Sequence, residues 1–370
     1  MTKIQYHFDH VGSYLRPAEL KVAREQYAAG NINREALLET QDKLVADLVR
    51  HQVESGLKVV SDGEFGRSWW HLDFLWNLTG FESYQQEDSY KFHGAKTRTT
   101  NVRIVGKIAE NKAHPFYRDF SYLSSITPEG VIPKITIPSP SLVINRDHRS
   151  DLALEYYDSW KDFLDDLAQA YHDTIQHFYD LGARYVQLDD TTWGYLIQQF
   201  EDNKDNPEET ARLQAIAQDD VYTINKALAD LPNDLTLATH ICRGNFKSTY
   251  LFEGGYDSVA SYLGQLNYDI FFLEYDDARS GSFAPLTDIW NNRKGVEIVL
   301  GLITSKDPAL EDVGQVTNRI KEAAQLVPLE NLGLSTQCGF ASTEEGNKLT
   351  EADQWKKLQL IASITEKIWG

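Results

Sequence analysis

The chain has 370 residues, with 36 Lys and Arg against 55 Asp and Glu and a formal net charge of −19 at pH 7. That balance excludes the positive field needed to hold nucleic acid or an anionic membrane surface, so no partner of either kind is expected. Hydrophobic residues at 42% and aromatics at 12% exclude a disordered chain, and two cysteines exclude a disulfide scaffold and suit a reducing cytoplasm.

From the N-terminus, residues 1–16 contain no apolar core of a leader peptide, and no later run approaches the roughly 20 apolar residues of a membrane span. A weak β-like run lies at 3–8 (KIQYHF). The segment 34–55 reads as a helix, with Leu37, Leu44, Val45, Leu48 and Val49 on one face and Asn33 as its N-cap. A β-rich run follows at 58–61 (KVVS). The stretch 80–133 is irregular apart from a β-like piece at 99–108, and reads as an insertion over one mouth of the fold. Further β-rich runs lie at 134–138 (KITIP), 185–188 (YVQL), 235–239 (LTLAT), 270–273 (IFFL), 296–300 (VEIVL) and 332–335 (LGLS). Helical patterns at 155–181, 219–231, 310–327 and 351–369 alternate with them, the first ended by Gly182. The acidic stretch 201–209 reads as a solvated loop and helix start. Mostly unalternating apolar runs suit strands buried on both faces of a parallel sheet. Eight strands with helices between them predict a single (β/α)8 TIM barrel over 1–370, an α/β fold with the insertion after its second strand. An open doubly wound sheet is the alternative; no Gly-rich phosphate fingerprint follows the first strand to support it.

Barrels of this kind carry their chemistry at the C-terminal strand ends. Those ends hold His10, Gly12 and Ser13; Asp62 and Glu64; Asp189 and Asp190; His240 and Cys242; Glu274, Asp276 and Asp277; Thr304, Ser305 and Lys306; Gln337 and Cys338. His240 and Cys242, two residues apart on a strand, address one face. With Cys338 and Glu274 from other strand ends they make an N/S/O set suited to zinc. Two thiolates and a carboxylate around a divalent ion make a weak Lewis acid toward water, suited to holding an incoming thiol as a thiolate. Spacing alone equally allows small buried cysteines and a core histidine. Glu64 and Asp189 can bind an ammonium group or act as acid and base, or else form rim salt bridges and helix caps. The Gly12-Ser13 turn can offer N–H groups to a carboxylate, or be an ordinary turn. Trp69 and Trp70 fit either a lid or the core.

Six motifs carry a family resemblance: HVGSYLRP at 10–17, SDGEFGR at 61–67, VQLDD at 186–190, THICRGNF at 239–246, FFLEYD at 271–276 and the Gln337-Cys338-Gly339 turn. Over nearly its whole length the chain resembles the catalytic C-terminal barrel of cobalamin-independent methionine synthase, and more closely the short single-barrel relatives of that enzyme. The resemblance implies His240, Cys242, Glu274 and Cys338 as zinc ligands. It implies Val11, Gly12 and Ser13 as the loop on the homocysteine carboxylate, and Glu64 and Asp189 as the acids on its amino group. The implied reaction is methyl transfer to the thiol of homocysteine, giving methionine. A related small thiol as acceptor, or a catalytically idle homocysteine-binding homologue, is the alternative. The full-length enzymes carry a second, N-terminal barrel, and none is expected within these residues. The donor half departs from the family. Asp189-Asp190-Thr191 replaces Asp-Glu-Pro, Tyr195 stands where an acid helps bind the pterin, and 138–142 (PSPSL) lacks the stacking tryptophan. Thr304, Ser305 and Lys306 replace a proton-donating histidine. A folate polyglutamate donor is therefore in doubt, and a sulfonium or a corrinoid-borne methyl group is the expected replacement. His10 is the candidate substitute proton donor, with a structural role as its alternative.

Overall fold

The computed structural model describes residues 6–87, 91–92, 95–146 and 148–370. Its strands are β1 (Val59–Val60), β2 (Thr79–Gln85), β3 (Lys91–Phe92), β4 (Ala95–Lys96), β5 (Thr100–Ala109), β6 (Ile132–Pro133) and β7 (Ile135–Pro138), then β8 (Tyr185–Asp190), β9 (Thr236–Ile241), β10 (Ile270–Glu274), β11 (Glu297–Ile303) and β12 (Leu332–Thr336). Strands β7 to β12 form one parallel sheet in chain order, and every residue in them is buried. That burial is why they read as continuous apolar runs: helices cover one face and a packed interior the other. At one edge β6, one residue before β7, pairs in parallel with β1. At the other edge Phe8 bridges Leu334 of β12, with Leu334 N–H donating to His7 O at 2.8 Å. The result is a barrel-like α/β fold. Residues 3–5 of the weak first run lie outside the described residues. Among those described, no helix is long and apolar enough to cross a membrane.

Capping chemistry sets the helix bounds. Asn33 Oδ1 accepts Ala36 N–H at 2.9 Å and starts the helix Arg34–Glu54. Gly182, at φ 104°, stops the chain after Trp160–Asp180. The segment 155–181 is divided, because Ser159 caps Trp160–Asp180 and leaves Ala153–Tyr156 as a separate turn. The helix expected at 219–231 starts earlier, as Pro207–Leu228, because Asn206 caps it and Pro207 occupies its first turn. The stretch 80–133 is more ordered than its sequence suggested. Here β2 and β5 form an antiparallel hairpin, whose side chains Phe81, Val102, Ile104 and Ile108 turn inward. The helix Pro115–Ile126 packs beside Arg34–Glu54 and Trp160–Asp180. Charged residues on the outer positions of the hairpin mask its alternation.

Two cores flank the sheet. Between sheet and helices lies the larger; inside the curve of the sheet, Val11, Val59, Tyr185, Ala238, Ile270, Phe272 and Val299 pack together. Below that inner cluster is a buried polar layer. Lys134 Nζ donates to Asp9 Oδ1 at 3.0 Å and Gln187 Oε1 at 3.1 Å, and Tyr185 O–H donates to Asp9 Oδ2 at 2.7 Å. Glu297, at the start of β11, is fully buried with neither carboxylate oxygen hydrogen-bonded among the described residues. Burial, then the nearby Asp9 charge, push its carboxyl well above 4.5. The folded protein thus keeps a proton that the unfolded chain releases, so this group withdraws stability as pH rises above about 4.5 toward the folded value. Glu297→Gln is expected to flatten that decline, which thermal unfolding followed from pH 5 to 8 will read; an unchanged slope would contradict it.

Candidate metal centre and its adjoining chamber

Neighbouring strand ends bring four ligand-bearing side chains together. His240 lies in β9, Cys242 just after it, Glu274 ends β10, and Cys338 follows β12. Their ligand atoms lie within 4.8 Å of one another, and all four residues are buried. The two sulfurs are 3.8 Å apart, and His240 Nε2 is 3.5 Å from Glu274 Oε1. That carboxylate oxygen has no hydrogen-bond partner among the described residues. A buried orphan oxygen beside two sulfurs and an imidazole fits a divalent ion of borderline softness. Asp189 Oδ1 lies 3.5 Å from His240 Nδ1 and accepts Gln187 Nε2–H at 2.7 Å, so it orients the ring from behind. The Tyr256 hydroxyl oxygen accepts Glu274 N–H at 2.8 Å. The thiols share their protons unequally: hydrogen bonding to Cys338 and burial push Cys242 up, while the bond from Cys242 holds Cys338 down.

Beside this set is a small chamber lined by Val11, Ser13, Glu64, Trp70, Asp189, His240, both cysteines, Gly339 and Ser342. Glu64 is held at φ 61°, with Asp62 Oδ1 accepting its N–H at 2.8 Å. A non-glycine residue in this region carries strain, and here the strain turns a carboxylate into the chamber. Glu64 Oε1 accepts from Thr136 Oγ1 at 3.1 Å and Arg67 Nη1 at 3.3 Å; Oε2 is buried without a hydrogen bond, 4.0 Å from Arg16 Nη2. Burial raises the Glu64 carboxyl, and Arg67 and Arg16 oppose that rise. Opposite, Gly12 adopts φ 132°, and a Cβ there would lie 2.8 Å from Thr136 Cγ2. No protein acceptor meets the N–H of Gly12 or Ser13 among the described residues.

The Cys338 turn is clamped to this loop. Phe340 N–H donates to Ser13 O at 2.9 Å, and a Cβ on Gly339 would lie 1.9 Å from Ser13 Oγ. Gly339→Ala is therefore expected to lower stability by about 1–3 kcal/mol through overpacking. Adding Ser13→Gly should recover part of that loss in a double-mutant cycle read by chemical denaturation, whereas simple additivity would refute the contact.

The sequence-predicted residues Val11, Ser13, Glu64, Asp189, His240, Cys242 and Cys338 line one chamber, with Gly12 and Glu274 adjoining. His10 does not line it. Its ring is buried against Tyr14, whose hydroxyl lies 3.1 Å from Nδ1, and burial followed by the Lys134 charge lower its pKa well below 6.5. Trp69 and Trp70 divide the two roles left open for them: Trp69 is core, and Trp70 is a half-buried chamber wall. Ser305 Oγ donates to Gly339 O at 2.9 Å, and Lys306 Nζ pairs with Asp276 Oδ2 at 2.6 Å, so these side chains serve the loops. Arg16, Arg67 and Thr136 were not singled out by sequence. The signal for the first two was present, since both lie within motifs already noted, at 10–17 and 61–67.

Residues 9–355 match the family described as cobalamin-independent synthase, catalytic domain. The chain is 45% identical over 376 residues to the uncharacterized protein YxjH of Bacillus subtilis, covering 99% of this chain and 96% of that one. To a methionine synthase of Saccharolobus islandicus it is 24% identical, over 89% and 86% of the two chains. A crystal structure of a putative vitamin-B12 independent methionine synthase from Listeria monocytogenes superposes with a TM-score of 0.77 at 36% identity, covering 100% and 99%. A B12-independent methionine synthase from Shewanella sp. W3-18-1 shares the fold, with a TM-score of 0.72 at 20% identity over 98% and 97%.

Proposed function

The chain belongs to the cobalamin-independent methionine synthase family through its catalytic domain, and on that footing we propose that it is a zinc-dependent methyltransferase that methylates the thiol of homocysteine to give methionine. The observation that carries this reading is a pair of orphan carboxylate oxygens, Glu274 Oε1 among the metal-ligating side chains and Glu64 Oε2 in the adjoining chamber. The first calls for a metal cation and the second for an ammonium group, as a thiol amino acid requires.

His240, Cys242, Glu274 and Cys338 would hold the zinc, which when bound supplies an electron-rich site that keeps a thiol ionised near neutral pH. The chain's own residues do the rest. Glu64, with Asp189 across the chamber, receives the ammonium group, and the N–H groups of Gly12 and Ser13 receive the carboxylate. These contacts aim the sulfur at the incoming methyl carbon and take the place of bulk water around it. The sulfur lone pair forms the new S–C bond, and the old bond to carbon breaks with its pair kept by the donor atom. A donor that departs neutral needs no acid, in keeping with the commitment of Ser305 and Lys306 to other partners and of His10 to Tyr14.

The same reading takes the fold as a closed eight-stranded TIM barrel over 1–370, with 80–133 as its insertion. Ser61 Oγ donating to Gly12 O at 2.6 Å and Tyr14 N–H donating to Gly63 O at 3.1 Å support closure between the first two strand segments. Two free cysteines suit a cytoplasmic enzyme. Zinc analysis, homocysteine calorimetry and methionine formation with a methyltetrahydrofolate, a sulfonium and a methyl-corrinoid test the proposal. Zinc-loaded protein that fails to bind homocysteine would overturn it.

A further inference from the structure

The turns that carry Glu64 and Cys338 run into each other as a short antiparallel ribbon. Trp69 bridges Thr343, Trp70 N–H donates to Ser342 O at 3.1 Å, and Glu344 N–H donates to Ser68 O at 3.1 Å. Ser68 stands four residues after Glu64, and Ser342 four after Cys338. The ribbon therefore fixes, at short range on both sides, how far the Glu64 carboxylate lies from the Cys338 sulfur. Buried Arg16 joins the same two turns from inside. Its Nη1 donates to Ala341 O at 2.8 Å and to Gly63 O at 3.3 Å, and its Nη2 to Arg67 O at 3.3 Å.

Glu344 locks the ribbon from outside. Its Oε2 accepts from Arg24 Nη1 at 2.7 Å and its Oε1 from Arg98 Nη1 at 2.8 Å. Each arginine then reaches back to the other half of the ribbon. Arg24 Nη2 donates to Phe65 O at 2.6 Å and Arg67 O at 3.0 Å, and Arg98 Nη2 donates to Ser68 O at 2.9 Å. Arg98 also lies over the Trp69 ring, 4.9 Å from its centroid, and pairs with Glu345 Oε1 at 3.3 Å. An isolated exposed ion pair contributes little, but here one carboxylate takes two guanidiniums whose remaining donors are fixed on backbone carbonyls. Arg24 comes from the helix Ala18–Ala28 and Arg98 from just before β5, so the lock ties the ribbon to two further parts of the fold. Neither arginine nor Glu344 lines the chamber itself.

We propose that Glu344, held by Arg24 and Arg98, is a positioning residue that sets the length of acceptor the chamber takes. The inference rests on the acceptor reading above, in which the thiol goes to the metal set and the ammonium group to Glu64. A molecule that engages both must match the span between the two turns. A rigid span favours homocysteine over cysteine, which is one methylene shorter, and a loosened span discriminates less between them. A ligand that uses only one end is indifferent to the span.

The test uses zinc-loaded full-length protein and four probes read by calorimetry. They are homocysteine, cysteine, 2-aminobutyrate, which lacks the thiol, and 1-propanethiol, which lacks the amino and carboxylate groups. Wild-type protein is expected to prefer homocysteine to cysteine by about 10- to 100-fold, the range one methylene supports. Glu344→Gln should weaken homocysteine on the order of 10-fold and narrow that preference, with zinc content and the affinities for both one-ended probes unchanged. Arg98→Met should act in the same direction, and Glu344→Asp should keep part of the preference. A preference undiminished in either Glu344→Gln or Arg98→Met would overturn the inference. So would one-ended probes weakened by the same factor as homocysteine, which is what a general loosening of the fold produces. Failure of the acceptor reading looks different: wild-type protein itself would lack homocysteine affinity, and the inference would fall with it.

Discussion

Cys242→Ser and Cys338→Ser are each expected to lose most bound zinc and all methyl transfer. The two sulfurs stand 3.8 Å apart within a four-member set, and the remaining ligands after either change are one thiol, one imidazole and one carboxylate. A serine hydroxyl is a harder and far less acidic ligand than a thiol, so it does not replace a thiolate on zinc. The fold should persist, because the apolar cores on both sides of the sheet exist independently of the metal set. Zinc analysis beside thermal unfolding decides the matter. Full zinc in both variants would dismiss the ligand set, and global unfolding of both would make the site structural.

Glu64→Gln should weaken homocysteine binding by about 10- to 100-fold, the range for loss of a charge-assisted hydrogen bond of about 1.5–3 kcal/mol. Zinc content should not change, since Glu64 is no member of the metal set. The analogue lacking the amino group makes the assignment specific: wild-type protein should prefer homocysteine to it, and Glu64→Gln should not. Discrimination retained by the variant would remove Glu64 from the ammonium site. Asp189→Asn is the less clean companion. Asp189 also faces His240 Nδ1, so that change is expected to disturb metal retention as well as the acceptor.

The contrast between those two acids shows what sequence reasoning can and cannot reach. Strands β8 to β12 were identifiable because burial on both faces leaves unbroken apolar runs, and their polar C-terminal residues then converge by the geometry of parallel strands. His240, Cys242, Glu274 and Cys338 do meet. Spacing alone could not say so, because the ligands come from three separate strand ends. The orienting contact of Asp189 on His240 depends on side-chain direction across β8 and β9, which no linear pattern encodes. The helix Thr192–Asp202 went unnoticed because its first turn, around Trp193 and Gly194, is buried rather than amphipathic. The hairpin of β2 and β5 was hidden by charged outer residues.

The clamp between the Cys338 turn and the Gly12-Ser13 loop has a thermodynamic consequence. One turn carries a candidate metal ligand and the other lines the adjoining chamber, and the Phe340 N–H bond to Ser13 O joins them with almost no free space at Gly339. Ordering either turn therefore prepays part of the entropy of ordering the other. By linkage, any factor by which a bound metal raises acceptor affinity must equal the factor by which the acceptor raises metal affinity. On the proposed reading, zinc retention would then depend on thiol supply as well as on the ligand set, and the metal would be held most firmly when acceptor is present.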